Sequence, residues 1–198
     1  MCIRDSIGTD AYEKANGIVK EYGTKVVLIG GKTALSKAEN KIKVALTQEI
    51  EVVASLWYGG NSTYGNIEQL IQHESVQKAD VLFAVGGGRA CDTVKVIGEK
   101  LAKPVFTFPT IGSNCSPVTA VCVIYNEEGV MDGLFFPSKP PVHTFIDTAI
   151  IAEAPDKYLW AGIGDALSKE VESTFSARGD DLGYTDRFCL LYTSDAAD

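Results

Sequence analysis

Hydrophobic positions along the chain fall into two kinds of pattern. Short apolar runs rich in β-branched or aromatic residues predict buried strands at residues 25–29, 49–56, 80–85 and 104–108. Apolar residues spaced three or four apart predict helices at residues 10–22, 33–46, 64–76 and 89–101. Strands that alternate with helices predict an α/β fold, with a mostly parallel sheet covered by helices on both faces.

The pattern changes after residue 117. Residues 118–125 and 130–136 are strand-like runs joined by a polar turn, which predicts an antiparallel hairpin attached to the sheet, and residues 143–147 predict a last strand. Helical character returns at residue 149 with a break at Pro155. We therefore expect an α/β domain over residues 7–150 and the truncated start of a helical domain over residues 151–188.

The two ends of the chain look related at the level of DNA. One codon choice for residues 1–6, read as its reverse complement, encodes Cys-Leu-Leu-Tyr-Thr, which is the sequence of residues 189–193. Such an element resembles a transposon end used as a sequencing adapter. We expect residues 1–6 and 189–198 to be adapter-derived and outside the fold, and the natural segment to be a fragment of a longer protein.

Composition excludes several classes of function. The 198 residues are 45% hydrophobic and carry a net charge of −8, which argues against non-specific nucleic-acid binding because that binding relies on Lys and Arg. No apolar run approaches the roughly 18 residues of a membrane helix, and the N-terminus lacks a basic-then-apolar signal. We expect a cytoplasmic protein with neither a membrane nor a nucleic-acid partner.

A glycine-rich turn follows the third predicted strand. Gly86, Gly87 and Gly88 end that strand, Arg89 opens the next helix, and Asp92 follows one turn later. Glycines let a backbone approach a phosphate closely, and a helix N-terminus supplies free N–H groups. Triple glycine is equally consistent with a tight turn that binds nothing, and it is not the six-position dinucleotide fingerprint.

A polar loop follows the fourth predicted strand. Thr110 and Ser113 in this loop, and Thr119 just beyond it, offer hydroxyls for a phosphate, a ribose or an amide. Surface loops are commonly rich in such residues, so this signal is weak on its own.

Asp165 lies in an unusual setting, close to Gly162 and Gly164 in an otherwise helical segment. Each helical glycine costs roughly 1 kcal/mol. Asp165 is either a helix N-cap or a metal ligand, and a ligand would need partners. The histidines, His73 and His143, do not stand at a chelating spacing.

Together these segments resemble the iron- or zinc-dependent alcohol dehydrogenases, and within that family the glycerol dehydrogenases. The matching pieces occur in family order at residues 86–95, 108–113, 120–125, 150–155 and 162–167. The resemblance implies a Rossmann-like domain that binds NAD or NADP, followed by a helical domain that supplies most of a zinc or iron site. It also implies hydride transfer from a small alcohol or polyol, and a homo-oligomer for the full-length protein.

The resemblance assigns roles to individual residues. Gly88 and Arg89 would lie at the pyrophosphate, although the family usually has lysine where Arg89 stands. The implied cofactor-binding set is Gly86, Gly87, Gly88, Arg89, Asp92, Thr110, Ser113, Thr119, Val121 and Tyr125, of which the last five line the nicotinamide end. Asp165 would be the first metal ligand. The two histidines that complete the family site would lie beyond this chain, so we expect the chain by itself to be inactive.

Two departures from the family pattern bear on specificity. Glycerol dehydrogenases typically have a substrate-contacting aspartate where Cys115 stands, and a thiol does not accept a polyol's hydrogen bonds as a carboxylate does. NAD-preferring members usually carry an aspartate after the early strand, where this chain has Lys32. Lys32 would attract a 2′-phosphate, so NADP remains open beside NAD.

Two other functions remain open. Dehydroquinate-synthase-like or glycerol-phosphate dehydrogenase chemistry on the same scaffold would call for more basic residues, and residues 110–119 contain none. A non-catalytic nucleotide-binding module is the second alternative, which the adapter-like ends disfavour.

Overall fold

The computed structural model describes residues 4–47 and 49–176, and a six-stranded parallel sheet forms the centre of this part of the chain. The strands are β1 (Asp5–Gly8), β2 (Lys25–Gly30), β3 (Glu51–Trp57), β4 (Val81–Gly86), β5 (Val105–Pro109), β6 (Cys122–Tyr125), β7 (Met131–Phe135) and β8 (His143–Asp147). The sheet has the order β1-β8-β5-β4-β2-β3, and β6 and β7 form a separate antiparallel hairpin. The predicted α/β class is therefore confirmed.

Helices cover both faces of the sheet. They are α1 (Ala15–Val19), α2 (Lys32–Ala45), α3 (Tyr64–Gln72), α4 (Glu74–Lys78), α5 (Gly88–Leu101), α6 (Thr148–Ala152) and α7 (Asp156–Ser176), with short 3₁₀ helices at Ala11–Lys14 and Ser116–Val118. Alternate strand residues point to opposite faces. Val26 and Leu28 therefore pack with α1 and α2, whereas Val27 and Ile29 pack with α3, α4 and α5.

The first strand corrects the expectation that residues 1–6 lie outside the fold. Asp5 and Ser6 belong to β1 and pair with Thr144 and Phe145 of β8. The Ser6 hydroxyl also lies 2.9 Å from Nε2 of buried His143. Strand pairing uses main-chain groups, so a segment of any origin can complete a sheet edge.

One other expectation was wrong in detail. The predicted helix over residues 64–76 breaks at His73, whose backbone is extended and whose Nδ1 accepts from the Ser75 N–H at 3.2 Å, so His73 caps α4. The predicted antiparallel hairpin is confirmed, and its buried residues Cys122 and Ile124 pack it on the α5 side of the main sheet.

Most of the remaining elements match their predictions within two residues, and β8 has the predicted bounds. The helix predicted over residues 10–22 is instead a 3₁₀ helix followed by the short α1, and only Cys122–Tyr125 of the predicted strand 118–125 is a strand. Within residues 4–47 and 49–176, no helix combines the length and apolar character needed to cross a membrane. Residues 177–188 of the expected helical domain, and the suspected adapter-derived tail 189–198, lie outside the described residues.

Candidate functional site

A cleft of about 710 Å³ opens at the carboxyl edge of the sheet, where the strand order reverses. Strand β2 leads through α2 to β3 on one side, and its neighbour β4 leads through α5 to β5 on the other. Ligands of doubly wound sheets bind at such a switch point. Gly31 after β2 and the glycine turn after β4 both line the cleft.

The glycine turn brings backbone groups close to the cleft. Gly86 has φ +145°, a conformation that L side chains rarely adopt. A Cβ on Gly87 would lie 2.6 Å from Ile111 Cδ1, and one on Gly88 would lie 2.7 Å from Asn114 Nδ2. Gly87 is the N-cap of α5 and has no side chain to occupy the first free N–H groups. This helix end is therefore available to an anionic ligand.

Arg89 places a cation beside these N–H groups. Its guanidinium carbon lies 4.6 Å from the centroid of the Tyr125 ring, within cation–π distance. Burial raises the pKa of Tyr58, another cleft residue, and the charge of Arg89 partly opposes that shift. Arg89 thus lies beside Tyr125 among the residues that line the cleft.

Asp92 lines the cleft, but both of its oxygens already bind protein groups. Oδ1 accepts from the Ser116 hydroxyl at 2.6 Å and from the Lys95 ammonium at 2.9 Å, and Oδ2 accepts from the Val123 N–H at 3.1 Å. Asp92 was expected among the cofactor contacts. It lines the cleft, and its hydrogen bonds link α5 to the residues that carry Ser116 and Val123.

The expected nicotinamide-end residues fall into two groups. Ser113, Thr119, Val121 and Tyr125 line the cleft together. Thr110 is buried and is not among the cleft-lining residues, and its N–H donates to the Gly86 carbonyl at 3.3 Å.

Lys32 is not among the cleft-lining residues. It is the first residue of α2, and its ammonium lies 4.6 Å from the Trp57 ring centroid. Any contact with a ligand in the cleft would need this side chain to turn inward.

Asp165 lies within α7 and lines the cleft, so the N-cap interpretation does not apply. Its Oδ1 is 3.5 Å from the ammonium of Lys169, whose pKa is raised by a hydrogen bond to Glu172 and by Asp165. A Cβ on Gly162 would lie only 2.0 Å from the Gly112 carbonyl oxygen, so glycine lets α7 approach this loop. The described residues contain no group of three His, Cys, Asp or Glu side chains able to hold a metal.

Cys115 is exposed and lines the cleft. Cys91 and Cys122 differ, because burial raises the pKa of each thiol to about 12. Neither buried thiol is therefore ionised near neutral pH.

Several cleft residues were not singled out from the sequence: Tyr58, Asn114, Ser116, Tyr158 and Lys169. Tyr58 directly follows β3, and the ends of parallel strands are where such residues can be sought. Tyr158 and Lys169 stand seven residues before and four after Asp165, on the same helical face. No local pattern marks Asn114 or Ser116.

The fold and the cleft define a doubly wound α/β domain with a glycine turn at its switch point. Residues 5–148 match the family described as iron-containing alcohol dehydrogenase, and the chain belongs to this family. It is 30% identical over 171 residues to a glycerol dehydrogenase of Pseudomonas putida, covering 86% of this chain and 47% of that protein. It is 40% identical over 120 residues to one from Thermotoga maritima, covering 59% of this chain and 32% of that protein.

A solved structure gives the same relationship. The crystal structure of glycerol dehydrogenase from Schizosaccharomyces pombe superposes with a TM-score of 0.79 at 30% identity, covering 88% of this chain and 44% of that one. The chain thus spans less than half the length of each of these relatives.

Proposed function

We propose that this chain is the cofactor-binding part of an NAD(P)-linked dehydrogenase that oxidises a small alcohol or polyol by hydride transfer. The observation that carries the proposal is the glycine turn at the switch point, where α5 begins beside Arg89. Relatives named glycerol dehydrogenase support the reaction class and the polyol-like substrate.

The residues of the cleft fit a dinucleotide. The N–H groups at the start of α5 and the Arg89 guanidinium would bind the diphosphate, because both favour negative charge. Ser113 and Thr119 would offer hydroxyls to the nicotinamide half, and Val121 would supply an apolar contact. When bound, the nicotinamide ring supplies the hydride acceptor.

The described residues do not fit a complete metal centre. Asp165 offers one carboxylate, and Lys169 already holds a positive charge 3.5 Å from it. A catalytic zinc normally has three protein ligands and an open position. Zinc or iron binding therefore belongs to our proposal for the full-length protein only.

Cofactor preference depends on the adenosine end of the cleft. Among the described lining residues, no carboxylate stands beside Gly31 to repel a 2′-phosphate. We propose that the cleft binds both NADH and NADPH. When NADPH binds, the Lys32 side chain turns from Trp57 toward the 2′-phosphate. Lys32→Ala should then weaken NADPH binding and leave NADH binding unchanged.

The test is titration of the protein with NADH and with NADPH, followed by cofactor fluorescence. Arg89→Ala should weaken both affinities roughly tenfold or more, since a hydrogen bond to a charged group is worth about 1.5–3 kcal/mol. Lys100→Ala is the matched control, because it removes a cation from the opposite end of α5. Saturable binding that responds to Arg89 alone supports the proposal, and no binding by folded wild-type protein refutes it.

A further inference from the structure

We propose that Lys95, a buried residue of α5, is the positioning residue for the nicotinamide end of the cleft. The inference rests on the proposed function, because it concerns the loop that would contact the nicotinamide. Lys95 is not among the cleft-lining residues, and only 2% of its side chain is exposed.

The Lys95 ammonium forms hydrogen bonds with one short stretch of backbone. It donates to the carbonyl oxygens of Ser116 at 2.8 Å, Thr119 at 3.1 Å and Val121 at 2.6 Å. Its charge is balanced by Asp92, whose Oδ1 lies 2.9 Å away on the same helix. Three carbonyls from an irregular stretch of backbone thus accept hydrogen bonds from a single ammonium group.

This arrangement has a physical reason. Carbonyls that are removed from water without a hydrogen bond cost free energy, and residues 116–121 include no strand that would pair them. The Ser116 carbonyl also accepts from the Thr119 N–H at 3.4 Å, so Lys95 matters most for the carbonyls of Thr119 and Val121. Lysine carries three N–H donors on a long flexible stem, which suits several acceptors at once. Asp92 adds two more links, to the Ser116 hydroxyl and to the Val123 N–H.

The links join the two halves of the cleft. Helix α5 begins at the glycine turn, where the diphosphate would bind, and carries Lys95 further along. Thr119 and Val121, whose carbonyls Lys95 binds, line the same cleft as the glycine turn. Lys95 therefore sets the distance between the diphosphate site and the nicotinamide contacts.

The experiment compares NADH with ADP-ribose, which has the same adenosine and diphosphate but no nicotinamide. Lys95→Met should weaken NADH binding roughly tenfold or more, the size expected when ligand contacts are misplaced, and should leave ADP-ribose binding nearly unchanged. Hydrogen–deuterium exchange should become faster at residues 116–123 and stay unchanged in the core strands. Calorimetric titration of both ligands gives the ratio of affinities.

Lys103→Met is the matched control. The Lys103 ammonium also donates to three backbone carbonyls, those of Val76 and Gln77 at 2.7 Å and that of Ala79 at 2.6 Å, but it lies away from the cleft. This variant should lose stability without changing the ratio of NADH to ADP-ribose affinity. Lys95→Met leaves Asp92 as an unpaired buried charge, which can prevent folding. In that case the double variant Asp92→Asn with Lys95→Met, which removes both charges, is used in place of the single variant.

The outcomes separate this inference from the proposed function. Wild-type protein that binds NADH, with Lys95→Met unchanged in both affinity and loop exchange, overturns the role of Lys95 and leaves the function intact. Equal losses for NADH and ADP-ribose also overturn it, since they indicate a general structural role. Folded wild-type protein that binds neither ligand overturns the proposed function and the positioning role with it.

Discussion

Two glycines on α7 should respond to alanine substitution in opposite directions. Gly162 faces the loop after β5, where an added Cβ would lie 2.0 Å from the Gly112 carbonyl oxygen and 3.4 Å from Ser113 Cα. Gly164 lies two residues later on the same helix, and a Cβ there would meet nothing within 4 Å. The two sites share a helix and differ in what a methyl group would touch.

The expected magnitudes follow from this difference. Replacing a helical glycine by alanine stabilises by about 1 kcal/mol, and both variants gain this amount. Overpacking costs typically about 1–3 kcal/mol, and the atoms at Gly162 are backbone, so the upper end applies. Gly164→Ala should raise the free energy of unfolding by about 1 kcal/mol, whereas Gly162→Ala should lower it by about 1–2 kcal/mol.

Urea unfolding followed by circular dichroism measures both changes. The difference between the two variants isolates the clash, because the gain in helix propensity cancels. Hydrogen exchange at α7 detects the case in which the helix moves away from the loop without global unfolding. If Gly162→Ala proves as stabilising as Gly164→Ala and α7 stays protected, α7 does not pack on residues 112–113, and the placement of Asp165 at the cleft is wrong.

Further measurements test other parts of the structure. Burial lowers the pKa of His143 below its ordinary value of 6.5. The unfolded chain then binds more protons, so the stability contributed by neutral His143 is present above about pH 6.5 and is lost as the pH falls through the folded pKa. Thermal melts from about pH 7 to pH 5 should show a steeper loss for the wild type than for His143→Gln, and equal slopes would contradict this. Trp160, Leu167 and Val171 form an apolar stripe on α7, and they are 69%, 70% and 64% exposed. The chain should self-associate through this stripe in analytical ultracentrifugation, and Leu167→Glu should reduce that association with no change in NADH affinity. A monomeric wild type, or association that Leu167→Glu leaves unchanged, would contradict this. Since Asp165 has no metal-binding partners among residues 4–47 and 49–176, added zinc should produce no alcohol-dependent reduction of NAD or NADP, and turnover that Asp165→Ala abolishes would reveal a complete metal site.

Much of the site was accessible from local sequence patterns. The glycine turn at Gly86–Gly88 could be placed after a strand and before a helix, because glycine and the two hydrophobic periods are local signals. The carboxyl ends of parallel strands lie at one edge, so a turn and a loop that each follow a strand can meet there. Both line the same cleft.

Other features depend on contacts between distant residues. Lys95 binds carbonyls that lie 21, 24 and 26 residues further along the chain, and no spacing rule anticipates such partners. Lys32 was expected to face the cofactor, yet its ammonium lies over the Trp57 ring. The position of a residue in a helix fixes its Cα–Cβ direction, but contacts with neighbouring side chains determine where a long side chain ends.

The sequence by itself determined the α/β class, the order of most strands and helices, and the glycine turn, because hydrophobic periodicity and backbone preference act over a few residues. The tertiary structure alone decided that Asp5 and Ser6 complete the sheet, that the hairpin packs beside α5, and that Asp92 binds the loop. Those outcomes depend on main-chain pairing and on buried polar groups finding partners far away in the chain, and neither leaves a local pattern in the sequence.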